Sequence, residues 1–192
     1  MCGMKNFGYA LVLVAAVMAF GWPAAAQQKR ISPHETISKA IEGNRVTVVY
    51  GRPYTKDPES AKMRKIWGGL VPYGEVWRTG ADEATLLITQ QPIEVGGALI
   101  PAGAYTLWTL PAEGKTVLIV NKQIGQWGQS SKNPKSVYDA ALDLVRIELK
   151  KDALPEAVDQ FTMALDENPA GGGVLKLCWE KTQYSVGYKV KK

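Results

Sequence analysis

The sequence predicts an all-β protein, an antiparallel two-layer β-sandwich with one short helix and long loops. Short apolar or alternating runs recur along the chain between clusters of Gly, Pro, Asn and Asp, a pattern typical of strands joined by turns. The runs are rich in Val, Thr, Ile, Leu and aromatic residues, which suit a half-buried pleated surface. Helical patterns are scarce, and about nine short strands with long loops favour two packed antiparallel layers.

The first 26 residues are predicted to be a signal peptide. Lys5 supplies a positive start, residues 9–20 form an uncharged apolar run, and a small-x-small pattern ends at Ala26. Cleavage after Ala26 leaves residues 27–192 as a single β-sandwich domain, in the periplasm or secreted. An uncleaved membrane anchor is the alternative, because the uncharged stretch approaches the ~20 residues that a span requires.

Cysteine content and charge narrow the class of protein further. Cys2 leaves with the signal peptide, so Cys178 alone remains and an internal disulfide is excluded in the mature chain. The net charge of +5 is a mild excess. Nucleic-acid binding requires a longer basic stripe interleaved with aromatic residues, so no nucleic-acid partner is predicted. After signal cleavage no stable membrane span is predicted, and the oligomeric state stays open.

Strand predictions follow the apolar alternation along the chain. Residues 32–41 imitate a capping box, but their β-branched residues favour a strand that turns at 42–44, which is the interpretation we adopt. Two glycines at 96–97 predict a tight hairpin turn within residues 93–100. Further strands are predicted at residues 45–50, 84–90, 104–110, 116–121, 144–150, 158–165, 173–180 and 184–190.

Three of these strands carry more specific expectations. The strand at 104–110 has bulky residues on both faces, which predicts a central position covered on both sides. The last two strands each have one apolar face and are interpreted as an antiparallel hairpin joined by the four-residue connection EKTQ.

The short helix is predicted at residues 57–66. Asp57 can cap its first turn and Pro58 occupies the first helical position, which predicts about two turns. Long loops are expected at residues 51–80, apart from this helix, and at residues 122–143. Loops of this length in a compact domain are usually functional or mobile.

His34 is the only histidine in the chain. Zinc sites built on histidine use two or three such ligands, and a catalytic triad near the start of a chain is unusual, so we expect an exposed His34 without a catalytic role. No metal and no cofactor are predicted. Calcium is a weaker alternative, because Asp82 and Glu83 are hard oxygen donors but lack the spaced ladder of a calcium loop.

The stretch WRTGADEAT, Trp77 to Thr85, concentrates chemically active side chains. Adjacent strand residues point to opposite faces, so Asp82 and Glu83 converge only if the backbone turns between them. We expect Arg78 to pair with one of the two carboxylates as a structural clamp. The alternative is a glycan-acting hydrolase in which Glu83 works with a second carboxylate such as Asp143.

Three tryptophans fall in loops, namely Trp67, Trp77 and Trp127. Aromatic rings beside polar side chains are used to recognise sugars and other polar molecules, because the flat apolar face stacks while the polar groups orient the ligand. The alternative is that these rings cap the open ends of the sandwich, since tryptophan is buried on average.

The motifs RPYTK, IWGGLVPYGEVWRTGADEAT, GGALIPAGAYTLWTLP, IVNKQIGQWG and DLVRIELK resemble a bacterial family named domain of unknown function 2911. The resemblance runs from about Ser32 to the final strands and implies an exported protein. The family's activity is not established, so the resemblance implies no catalytic residue. Asp82 departs from the family pattern, which usually has Asn there, and the segment YTKDPESAKM is longer than the usual link.

These observations favour a binding role over catalysis. We expect an exported β-sandwich that binds a polar small molecule, a glycan or an envelope partner at one end, and a non-catalytic structural module of the envelope is the remaining alternative. The predicted binding residues are Arg52, Tyr73, Trp77, Arg78, Thr79, Asp82, Glu83, Asn121 and Trp127.

Overall fold

The structure is a computed structural model, and it describes residues 30–127 and 137–192. The predicted signal peptide and the centre of the second long loop lie outside the described residues. The strands are β1 His34–Ile41, β2 Asn44–Gly51, β3 Thr85–Thr89, β4 Ile93–Val95, β5 Ala98–Ile100, β6 Gly103–Leu110, β7 Thr116–Asn121, β8 Asp143–Glu167 and β9 Gly173–Val190.

All strand pairs are antiparallel, which confirms the all-β prediction. The strands form one continuous nine-stranded sheet in the order β1-β2-β3-β6-β7-β8-β9-β4-β5, so the two layers are halves of one sheet. Strand β8 joins the halves, because residues 143–149 pair with β7 and residues 150–167 pair with β9. The hydroxyl of Tyr50 in β2 contacts the backbone of Met163 in the second half of β8, so β2 lies opposite that half of the sheet.

Strands β8 and β9 correct the expected chain path near the C-terminus. The predicted hairpin within residues 173–190 is wrong, because β9 is one strand and both of its halves pair with β8. The EKTQ segment is a distortion inside β9 instead of a turn: Glu180 has φ 50, and the β8 register shifts on both sides of Val158. The turn between the two strands follows Glu167 and ends at Gly173.

One apolar core fills the space between the layers. It combines buried side chains of the first half of the sheet, such as Val48, Leu107 and Leu118, with Met163 and Leu177 of the second half. Strand β6 pairs with β3 and β7, and all five residues 105–109 are buried, so its predicted central position covered on both faces is confirmed.

Aromatic rings join the two layers at one end of this core. Trp179 of β9 stacks on Trp77 at 5.9 Å between centroids and contacts Phe161 of β8 edge-on at 5.6 Å. Trp67 reaches Trp77, Trp179 and Tyr184 at 6.2, 6.3 and 5.2 Å. We call these five residues the aromatic cluster. It anchors two segments of the first long loop to strands β8 and β9.

The predicted helix at 57–66 is wrong, since this segment forms one turn. Asp57 caps that turn as expected, accepting bonds from the amides of Glu59 and Ser60 at 3.1 and 2.8 Å. The turn ends because Ala61 has φ 58, a left-handed conformation that breaks the helical path. A short 3₁₀ turn, Ala140–Leu142, was not predicted. Among the described residues no helix is long and apolar enough to cross a membrane.

Tyr50 links the two layers through hydrogen bonds. Its hydroxyl accepts the amide N–H of Met163 in β8 at 2.9 Å and donates to Glu35 Oε2 at 2.8 Å. Burial raises the pKa of the Tyr50 hydroxyl, which keeps the proton that the second bond requires. Arg52 adds to the same connection, donating to the carbonyl of Phe161 at 3.2 Å and to Thr162 Oγ1 at 2.8 Å.

We predict that Tyr50→Phe lowers the free energy of unfolding by about 1–3 kcal/mol, because it leaves the buried amide of Met163 without a partner. Tyr73→Phe is the matched control, since the Tyr73 hydroxyl has no hydrogen-bond partner among residues 30–127 and 137–192. It should change stability by less than about 0.5 kcal/mol. Urea denaturation measures both, and equal midpoints for the two variants would contradict this role of Tyr50.

Candidate functional site

The stretch Trp77 to Thr85 forms a compact corner between the first long loop and β3. Trp77 extends the sheet by exchanging two backbone hydrogen bonds with Thr109 of β6, at 2.7 and 2.9 Å. The corner then closes through Thr85, whose amide donates to the carbonyl of Arg78 at 3.1 Å and whose hydroxyl donates to the carbonyl of Thr79 at 2.7 Å. The corner is therefore a fixed structure whose side chains project from set positions.

Two residues of the corner adopt left-handed backbone conformations. Thr79 has φ 55 and is fully buried, and Asp82 has φ 64. This conformation is strained for a β-branched residue such as Thr79 and is tolerated by Asn and Asp, which suits Asp82. The turn at Asp82 brings its carboxylate and that of Glu83 to the same side.

His34 lies against both of these carboxylates. Its Nε2 is 3.1 Å from Asp82 Oδ2 and 3.4 Å from Glu83 Oε2. The other oxygen of Glu83, Oε1, accepts a hydrogen bond from Arg30. The expectation of an exposed His34 is wrong, because 22% of its side chain is exposed and the ring faces two carboxylates. We call His34, Asp82 and Glu83 the carboxylate–histidine cluster.

Arg78 takes a different partner from the one expected. Its guanidinium donates to the carbonyl of Trp127 at 3.1 Å, and the ion pairs of Glu83 among the described residues are with Arg30 and His34. Burial lowers the pKa of the Arg78 guanidinium from its ordinary value, although the negative charges of Asp82 and Glu83 oppose this. Arg78 therefore fixes the second long loop to the corner through Trp127.

A cleft of about 460 Å³ opens beside the corner. Its wall includes Trp77, Arg78 and Asp82 of the corner, Trp179 of β9, and Leu70 of the first long loop, which is 44% exposed. The volume is in the range of pockets that hold small molecules. Trp179 is fully buried behind this wall, so the cleft combines the partly exposed ring of Trp77 with charged groups of both signs.

The structure gathers part of the predicted binding set at this end. Trp77, Arg78 and Asp82 line the cleft, whereas Thr79 and Glu83 lie in the corner itself. The carbonyl of Trp127 contacts the corner by accepting a hydrogen bond from Arg78. The ring of Trp127 also lies under the guanidinium of Arg30, at 5.9 Å from the ring centroid. Trp67 and Trp77 belong to the aromatic cluster and pack against the core between the layers. Trp77 also lines the cleft.

Three other predicted residues lie outside the cleft wall. Arg52 binds β8 and forms an ion pair with Glu35 at 3.1 Å, and the ring of Tyr73 packs over Gly68. Asn121 is fully buried and ties the chain between β7 and β8, donating to the carbonyl of Asp139 at 2.8 Å and to Asp143 Oδ1 at 2.9 Å.

Asp143, the proposed partner of Glu83 in a hydrolase, accepts hydrogen bonds from neighbouring side chains. Its carboxylate accepts hydrogen bonds from Asn121, from the Tyr138 hydroxyl at 2.6 Å and from Arg146 Nε at 2.9 Å. Asp143 does not line the cleft beside Asp82. Asp143 is therefore not placed at the cleft as the second carboxylate of such a hydrolase.

His34 is the residue that the sequence reasoning missed, and one signal could have found it. The β1–β2 hairpin places His34 opposite Gly51, and the amide of Ala81 donates to the Gly51 carbonyl at 3.2 Å. The hairpin register is readable from the alternating residues and the turn at 42–44. The contact of Gly51 with Ala81 joins distant segments and leaves no local pattern.

The described strands and the corner define an all-β protein with a cleft beside the corner. The chain belongs to the family described as "Protein of unknown function (DUF2911)", which matches residues 32–187. This match agrees with the resemblance of the sequence motifs. No curated protein and no solved structure shows a significant match to the chain.

We predict that Gly51→Ala destabilises the protein, since a Cβ there would lie 2.2 Å from the carbonyl oxygen of Ala81. The backbone of one segment must move, which costs about 1–3 kcal/mol of unfolding free energy. Gly114→Ala is the matched control, because a Cβ at Gly114 meets no atom within 4 Å. Chemical denaturation compares the two, and equal stabilities would show that the corner does not depend on this contact.

Proposed function

We propose that this protein is an exported binding protein that holds a polar small molecule in the cleft beside the corner. The cleft of about 460 Å³ carries this proposal, because a corner that only stabilised the fold would need no cavity beside Trp77 and Arg78. Export rests on the signal-peptide pattern of residues 1–26.

The charges around the cleft suggest which ligands fit. Its lining contains two arginines and four acidic residues, namely Arg64, Arg78, Asp57, Glu59, Glu75 and Asp82. Asp57 and Arg64 form an ion pair at 3.6 Å, and Asp82 attracts Arg78, so each arginine has an acidic neighbour. Glu59 and Glu75 remain as exposed acidic groups on the wall. A hydroxylated ligand with a basic group is therefore favoured over an anionic one.

An amino sugar has this chemistry. Its ring presents an apolar face to an aromatic side chain such as Trp77, and its hydroxyls and amine can reach the charged groups. Glucosamine, glucose and glucuronate provide a matched series, because they share a ring and differ mainly in charge.

We predict that glucosamine binds more tightly than glucose, and glucose more tightly than glucuronate, in a buffer acidic enough to keep the amine charged. Tryptophan fluorescence measures binding, because Trp77 and Trp179 belong to the cleft wall. Glu75→Gln should weaken glucosamine binding by up to about fivefold, as expected for one exposed charge. A chelator is present throughout, so that bound metal ions make no contribution.

Glu113→Gln is the matched control for Glu75→Gln, since Glu113 is exposed and lies outside the cleft wall. It should leave the affinity for glucosamine unchanged. If none of the three sugars changes the fluorescence or the thermal midpoint, binding of such ligands is refuted. The structural-module alternative, in which the same residues only hold the loops, would then be favoured.

A further inference from the structure

We propose that the carboxylate–histidine cluster binds a divalent transition-metal cation, with Zn²⁺ as the best-fitting ion. The donor atoms are Nε2 of His34, Oδ2 of Asp82 and an oxygen of Glu83, and the three residues offer ligand atoms within 4.8 Å of one another. This inference goes beyond sugar binding in the cleft and stands independently of it.

The spacing of the donor atoms suits a tetrahedral ion. Zinc ligands lie about 2.0–2.2 Å from the metal, so two ligands of a tetrahedron are about 3.3–3.6 Å apart. The distances from His34 Nε2 to Asp82 Oδ2 and to Glu83 Oε2 are 3.1 and 3.4 Å. The two separations that involve His34 therefore match a tetrahedral ion, and the ligand atoms of the two carboxylates lie within 4.8 Å of each other.

The hydrogen bonding of Glu83 is a second observation that favours a bound cation. Oε2 is inaccessible to solvent and has no hydrogen-bond partner among the described residues, although it lies within ion-pair distance of His34. One Nε2 proton serves one acceptor well, and Asp82 Oδ2 is the nearer of the two. The Glu83 side chain as a whole is 35% exposed and Arg30 pairs with its other oxygen, but Oε2 itself is screened from solvent. A metal ion would give this oxygen a partner.

The donor set also indicates the kind of metal. One imidazole and two carboxylates suit zinc and similar transition ions, whereas Mg²⁺ and Ca²⁺ prefer ligand sets made of oxygen alone. Three protein ligands leave a fourth position for water or a ligand. Asp82 also lines the cleft, so one ligand of this site is shared with the cleft wall.

The positive charge of Arg30 repels a cation bound at the cluster. Arg30 occupies Oε1 of Glu83 and places a positive charge beside the cluster. Removing this charge in Arg30→Gln should therefore tighten zinc binding by about two- to fivefold. If the cluster were only a set of ion pairs, the same substitution would merely loosen it.

The purified chain, prepared without a polyhistidine tag and stripped with a chelator, is titrated with Zn²⁺ and separately with Mg²⁺. We expect one Zn²⁺ per chain by calorimetry and little response to Mg²⁺. Since His34 is the only histidine, its imidazole proton resonance is unambiguous and should shift with zinc alone. This readout uses the unmodified protein and does not depend on how any variant folds.

Two variants locate the binding. His34→Ala and Asp82→Asn should each weaken zinc binding about tenfold or more, and Asn suits the left-handed conformation at position 82. Glu148→Gln, an exposed carboxylate of β8, is the matched control and should bind as before. An unshifted histidine resonance, or unchanged affinity in His34→Ala, overturns the proposal. Because the titration uses the metal alone, this failure is separate from a failure of sugar binding.

Discussion

Trp179 lies among rings from both layers, stacked on Trp77 at 5.9 Å and edge-on to Phe161 at 5.6 Å. Contacts of this geometry add about 0.5–1.5 kcal/mol each to the burial of the rings. Because the first long loop contributes Trp67 and Trp77, the aromatic cluster fixes these parts of the loop against strands β8 and β9. The position of the cleft depends on this packing, since its wall includes two of the same rings.

The corner adds a second constraint, which acts on the backbone. Gly51 and Ala81 approach so closely that no side chain fits at Gly51, and Thr79 and Asp82 accept left-handed conformations. For a β-branched residue such as Thr79 this conformation costs of order 1–3 kcal/mol and persists only where the surroundings impose it. At Asp82, where it is tolerated, the left-handed turn lets two consecutive carboxylates face one histidine, which an extended strand cannot achieve.

Local pattern predicted most of the strands. Strand β7 coincides with the predicted residues 116–121, because its apolar run ends at clear turn signals. The long strands β8 and β9 were each divided in two, since residues 150–160 and 180–183 contain no buried side chain. Part of these segments is held by pairing between β8 and β9, and apolar alternation cannot reveal such pairing.

The sequence predicts only part of the candidate site, because some of its residues come from segments that are distant along the chain. Trp77, Arg78 and Asp82 were selected because they stand together in one short motif, and they do line a cleft. His34 and Arg30 reach the same place through the β1–β2 hairpin and its contact with the corner. Contacts between segments so distant along the chain leave no periodic signal in the sequence.

The hydrogen bond between Tyr50 and Met163 spans 113 residues. The hairpin of β1 and β2 can form as soon as its own residues are available, but its apolar face stays uncovered until the second half of β8 arrives. Closing such distant pairings is slow, because loop entropy is lost before the contacts compensate. During synthesis the early strands therefore remain open to wrong partners until nearly the whole chain has emerged, and a chaperone that shields this hairpin would increase the yield of folded protein.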